Sequence, residues 1–229
     1  TTPNEHRAAF GDFIVQVAGV RSRSEADMLC ACGVDWIGFP LRLPVHAEDT
    51  SEAEAAEIIA ALPPTVRPVL ITYLDNADAV REFCRQLGVT TVQLHGPVPV
   101  CELRKLRGSA PHLIVVKSLV VGLEGADAAE RTLARTEAYV DGFITDTFDP
   151  ETGASGATGK RHDWARSRRL VEATRRPVIL AGGLTPDNVA EAVRSVRPAG
   201  VDVHTGVETA RGDKDGREVR AFCGNARGA

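Results

Sequence analysis

Aromatic residues are scarce: they make up 5% of the 229-residue chain, and there is a single Met. A core of this size must therefore be filled by Val, Ile, Leu and Ala, the composition of parallel strands covered by helices. Long apolar runs are also missing. The longest, such as residues 176–183, fall far short of the roughly 20 residues that cross a bilayer, so no transmembrane segment is expected. There is no basic excess: the net charge is −4 with Lys and Arg spread along the chain, which leaves no electrostatic footprint for nucleic acid. Residues 1–12 have mixed charge and no apolar core, so no secretory signal is read there and a cytoplasmic location is expected. The five cysteines form no C-x-x-C pair, and Cys30-Ala-Cys32 precedes Gly33 without a matching His or Cys pair. Neither a disulfide framework nor a zinc site is expected.

What the chain has is alternation. From residue 13 onward, short β-rich runs alternate with helical patterns, and the strand candidates are Phe13–Ala18, Asp35–Phe39, Val66–Tyr73, Thr91–Leu94, Leu113–Lys117, Val140–Thr145, Pro177–Ala181 and Val201–Val203. Helices with start and stop signals fall between them at Ser22–Cys32, Ser51–Leu62, Asn76–Leu87 and Thr185–Val196, the last with Pro186 in its first turn. Strand, crossover helix, parallel strand, repeated in this way, predicts a single α/β domain, a (β/α)8 TIM barrel over residues 13–229 preceded by an N-terminal extension of residues 1–12. A doubly wound sheet also alternates, but it carries a glycine-rich turn after its first strand, where this chain has only Ala18-Gly19-Val20-Arg21. The exposed helix faces define no subunit interface.

In such a barrel, chemistry sits at the C-terminal strand ends. The seventh strand ends in Gly182-Gly183 and the eighth in His204-Thr205-Gly206, so two adjacent loops carry glycines that let backbone N–H groups approach an anion. A small phosphorylated substrate is the expected partner. Asp146 ends the sixth strand, where it serves either as an acid/base group or as a loop-stabilising carboxylate. A glycine-rich stretch, residues 152–161, follows. It lacks the P-loop pattern, with Ala154 at the first glycine position and Arg161 after Lys160, and it reads as an active-site loop with Lys160 available to an anion. Alternation sends Gln93 and His95 of the fourth strand to the same side, toward the barrel interior.

These stretches resemble the phosphoribosylanthranilate isomerase family. The resemblance rests on residues 92–96 (Val-Gln-Leu-His-Gly), 141–147 (Asp-Gly-Phe-Ile-Thr-Asp-Thr), 158–160 with Asp163-Trp164, 177–189, 196–203 and 206–208, and it extends to Lys214-Asp215. It implies a (β/α)8 enzyme without metal or organic cofactor that performs an Amadori rearrangement. An aspartate at the end of strand six, here Asp146, donates a proton to the sugar ring oxygen, and a second group removes the proton on C2. It also implies a phosphate site at Gly182, Gly183, Thr205 and Gly206, with Gly159 nearby.

The departures lie mostly in the first half. The family's Lys-x-Cys-Gly, whose cysteine is the general base, is here Gln16-Val17-Ala18-Gly19, and an alanine accepts no proton. Aligning the second loop places Glu48 where the family has a substrate-contacting arginine, and a serine pair becomes His204-Thr205. His204, His46 and His95 are the candidate replacement bases. These changes lead to the expectation of a diverged isomerase or lyase with Asp146, His204 and His95 as catalytic groups, acting on an altered phosphorylated sugar-type substrate. The alternatives are a genuine phosphoribosylanthranilate isomerase with a relocated base, and a non-catalytic barrel that binds phosphate esters.

Overall fold

The computed structural model describes residues 10–44, 47–121, 127–147 and 164–229. Eight strands close into a barrel in sequence order: β1 (Ile14–Ala18), β2 (Trp36–Pro40), β3 (Arg67–Thr72), β4 (Thr91–Leu94), β5 (Ile114–Val121), β6 (Gly142–Thr147), β7 (Val178–Leu180) and β8 (Gly200–Val203). Every pairing is parallel, and β8 closes on β1 with Gln16 opposite Asp202. Each strand feeds a helix: α1 (Arg23–Ala31), α2 (Glu52–Ala60), α3 (Ala77–Leu87), α4 (Val100–Ser109), α5 (Ala128–Thr136), α6 (Trp164–Ala173), α7 (Val189–Val196) and α8 (Gly216–Arg227). No described helix is long and apolar enough to cross a membrane.

The starts of several helices follow from local chemistry. Ser22 Oγ accepts from the Glu25 backbone N–H, and Ser51 and Glu54 form a reciprocal capping box, so otherwise orphaned donors of the first turn are satisfied. The helix expected from Thr185 begins instead at Val189. Thr185 O accepts from both Asn188 N and Val189 N, at 3.2 and 3.0 Å, which makes a turn. The Asn188 side chain locks that turn by accepting from Thr185 N and donating to Gly183 O, each at 2.9 Å. Strand β5 runs past its expected end at Lys117, because its ladder with β6 continues to Val121 opposite Thr147.

Two apolar layers follow from strand alternation. Outward residues such as Val15, Val17, Phe39, Leu70 and Phe143 pack under the helices, while Ile14, Ala18, Trp36, Val69, Ile71, Val116, Ile144 and Ile179 fill the barrel interior. The interior reaches back to Phe10, whose ring lies 5.3 Å from that of Trp36 and packs against Gly142. Polar groups cement the N-terminal face. Buried Asp141 accepts from Val115 N at 2.7 Å and from Arg107 at 2.5 Å. At the opposite face the described residues leave a pocket.

Candidate active site

A pocket of about 330 Å³ occupies the mouth formed by the C-terminal strand ends. Pro40, Leu43, Ile71, Ile144 and Leu184 give it an apolar wall, and its polar groups converge from β4, β6, β8 and the loops after β2, β7 and β8. Such a pocket, apolar with a few aimed polar groups, is what a small-molecule site requires.

On the β4–β6 side the polar groups form a chain. Gln16 Nε2 donates to Gln93 Oε1 at 3.1 Å, Gln93 Nε2 lies 2.8 Å from His95 Nε2, and His95 Nδ1 lies 3.0 Å from Asp146 Oδ2. With the Gln93 oxygen facing Gln16, its amide N–H donates to His95 Nε2. The imidazole proton then sits on Nδ1, directed at the Asp146 carboxylate. Gln16, Gln93, His95 and Asp146 are all buried, so each bond is made in a low-dielectric setting where losing it is costly. The Tyr73 ring stacks obliquely on His95 at 5.6 Å, and burial together with nearby Asp146 pushes its hydroxyl up to about 12.

On the opposite side the loops after β7 and β8 interlock. Gly182 and Gly183 both take positive φ, 102° and 63°. At Gly206 a Cβ would stand 1.9 Å from Leu184 O, so only glycine lets these loops approach one another. Thr145 Oγ1 bridges the ends of β6 and β7, accepting from Ala181 N at 2.9 Å and donating to Ala181 O at 3.1 Å.

At the end of β1, Ala18 presents a methyl group to the pocket. Beside it the His204 ring lies over Gly19, where a Cβ would meet Nε2 at 2.1 Å. His204 Nε2 is also 3.5 Å from both Asp49 Oδ2 and Glu208 Oε1. Glu208 is held in turn by Lys214 Nζ at 2.5 Å, and Lys214 Nζ donates to His204 O at 3.1 Å. Burial opposes the charge on Asp49, but His204, Lys214 and Arg21 together hold its carboxyl below the usual range.

Asp146, His95, Gln93, His204, Thr205, Gly182, Gly183 and Gly206 thus share one pocket. Glu48 does not. It is exposed, and its carboxylate accepts from Arg42 N at 2.5 Å, in a turn where Arg42 takes φ 56°. Asp49, one residue on, lines the pocket instead. His46, Gly159 and Lys160 lie outside the described residues. Sequence reasoning passed over Asp202, although the parity that finds Gln93 and His95 finds it too, two residues before His204. Asp202 Oδ1 and Gln16 Oε1 are buried without a hydrogen-bond partner among the described residues. Burial pushes the Asp202 carboxyl up to about 6; the Gln16 amide, His204 and His95 oppose the shift, and Asp146 adds to it.

Residues 16–225 match the family model for N-(5'phosphoribosyl)anthranilate (PRA) isomerase. The chain is 38% identical to N-(5'-phosphoribosyl)anthranilate isomerase 2 of Methanosarcina mazei, over 93% of each chain. Its fold superposes on phosphoribosyl anthranilate isomerase of Thermotoga maritima with a TM-score of 0.80 and 30% identity, covering 95% of this chain and 100% of that one. A further solved isomerase, 28% identical with a TM-score of 0.77 and the same coverage, holds reduced 1-(o-carboxyphenylamino)-1-deoxyribulose 5-phosphate. By its barrel and by its sequence over nearly its whole length, the chain belongs to the N-(5'-phosphoribosyl)anthranilate isomerase family.

Proposed function

We propose that the protein is an N-(5'-phosphoribosyl)anthranilate isomerase that performs the Amadori step of tryptophan biosynthesis, with its proton acceptor moved away from β1. The observation that carries this reading is the placement of Asp146, paired with His95, in the same pocket as the interlocked glycine loops of β7 and β8. The relative that holds a reduced carboxyphenylamino-deoxyribulose phosphate supports the same ligand class. The sugar phosphate is held by backbone N–H groups at Gly182, Gly183 and Gly206 and by the Thr205 hydroxyl, and the aryl group lies on Pro40, Leu43 and Ile71. Asp146 donates a proton to the ring oxygen, opening the ring to an iminium ion, and His95 Nδ1–H stabilises the carboxylate left behind. Loss of the C2 proton then gives an enolamine that tautomerises to the ketose. The reaction needs proton transfer alone.

Conversion of N-(5'-phosphoribosyl)anthranilate by purified protein, followed by loss of substrate fluorescence, tests the reading, together with complementation of a tryptophan auxotroph that lacks this isomerase. Soluble protein that does neither overturns it. A second reading keeps the chemistry and changes the aglycone. It is favoured by Asp49, an anionic group on the loop where the family carries a substrate-contacting arginine, since an aryl carboxylate meets repulsion there. Faster turnover of an aryl amine adduct lacking the carboxylate is its expected outcome.

A further inference from the structure

We propose that Asp202, on β8, is the proton acceptor that replaces the group absent at Ala18. This deepens the isomerase reading and rests on it.

Six titratable side chains line the described pocket: Asp49, Tyr73, His95, Asp146, Asp202 and His204. Asp146 is the donor. His95 has both ring nitrogens engaged, with Gln93 and with Asp146. His204 Nε2 is occupied by two carboxylates, Asp49 and Glu208, each at 3.5 Å. Asp49 is committed to His204 and Arg21 and held below the usual carboxylate range, which makes it a weak base. Tyr73 keeps its proton at neutral pH. Among the described residues, Asp202 alone combines exposure to the pocket, an oxygen without a hydrogen-bond partner, and a neutral neighbour. That neighbour, Gln16, lies directly opposite it in the β1–β8 register, at the position of the family pattern's lysine. Without that cation, burial brings the Asp202 carboxyl close to neutrality, where an acceptor works best. The hydrogen-bonded chain Asp146–His95–Gln93–Gln16 crosses the barrel floor and ends beside it. Donor and acceptor therefore stand on separate strands, β6 and β8, with only β7 between them, and both face the pocket.

The balance is simple. Asp146 gives one proton to the ring oxygen and Asp202 takes one from C2. The C2–H electron pair moves into the C1–C2 bond and neutralises the iminium nitrogen. The enolamine becomes the ketone by moving its own hydroxyl proton to C1, and the two carboxyl groups reset through solvent.

Turnover of N-(5'-phosphoribosyl)anthranilate is compared in wild type, Asp202→Asn and Asp202→Asn/Ala18→Cys, alongside carbon-13 NMR titration of the aspartate carboxyls with and without ribulose 5-phosphate. The expected result is a kcat loss of roughly 10² to 10⁴ in Asp202→Asn. At least tenfold recovery should follow when the thiol is placed at residue 18, a rescue that a merely structural role for Asp202 does not give. The Asp202 signal should titrate between about pH 5 and 7 and move when ribulose 5-phosphate binds. Unchanged turnover in Asp202→Asn overturns the proposal and leaves the isomerase reading standing. Inactive wild type overturns the isomerase reading, and the titration then decides for Asp202: a carboxyl that titrates below about pH 4.5 or ignores the ligand sinks it.

Discussion

His95 Nδ1 lies 3.0 Å from Asp146 Oδ2, and Gln93 fixes which of the two imidazole nitrogens faces that carboxylate. The pair is buried, so its alignment is not shared with solvent. Asp146→Asn should lower kcat by roughly 10² to 10⁴ with little change in KM, because the amide keeps the shape and loses the transferable proton. His95→Ala should cost less in rate but about 1–3 kcal/mol in stability, since it strips Asp146 of a buried donor. Steady-state kinetics and urea unfolding check the two effects separately.

The approach of the loops after β7 and β8 gives a second prediction. Gly206→Ala forces a Cβ to within 1.9 Å of Leu184 O, so one loop must move. The barrel closes below this level and should stay folded. We expect KM for the phosphorylated substrate to rise at least tenfold, and protection of the protein by inorganic phosphate against proteolysis to weaken in parallel. Unchanged KM in a folded variant would place the phosphate elsewhere.

Strand parity made the barrel and half the site legible in the sequence. A period of two sends Gln93 and His95 inward, and the same arithmetic reaches Asp146 at a strand end. Gly182, Gly183 and Gly206 fall in the loops after β7 and β8, where the strand pattern puts them. Two things escaped. Loop β2–α2 has no periodicity, so nothing in the sequence tells that Asp49 lines the pocket while Glu48 faces solvent. The start of α7 was misplaced because Asn188 can bond either as a helix residue or to its own turn, and only the packed loop decides between them. Asp202 was legible by parity, but only the β1–β8 register sets Gln16 directly opposite it.

Lys117 carries a third prediction. Its Nζ donates to Leu94 O, Ser118 O and Ser118 Oγ at 3.0–3.2 Å, with no carboxylate in salt-bridge range among the described residues, and burial, opposed by Asp146, lowers it to about 8. The unfolded value is near 10.4. Between about pH 8 and 10 the unfolded chain therefore binds more protons at this site, and the folded state gains stability as pH rises. Comparison with Lys117→Met isolates this from the buried thiols of Cys84 and Cys223, which titrate in the opposite sense. The stability of wild type relative to Lys117→Met should increase across that window. A flat difference would show that Lys117 is not shifted.

Asp202 couples function to stability with the opposite slope. Its folded value of about 6 lies above the unfolded value near 3.9. Both states are protonated below about pH 3.9; between about 3.9 and 6 the folded state holds a proton that the unfolded state has released. Stability from this residue is thus full at low pH and is lost as pH rises through about 6. An amide in its place carries no such titration, so Asp202→Asn should be relatively more stable than wild type at about pH 7.5 than at about pH 4. The change is on the order of 1–3 kcal/mol, reduced from the full shift by the side chain's opening to the pocket. Urea unfolding of both proteins at the two pH values measures it. A variant whose stability tracks wild type at both would mean that Asp202 ionises without penalty, leaving it a weak base at neutral pH.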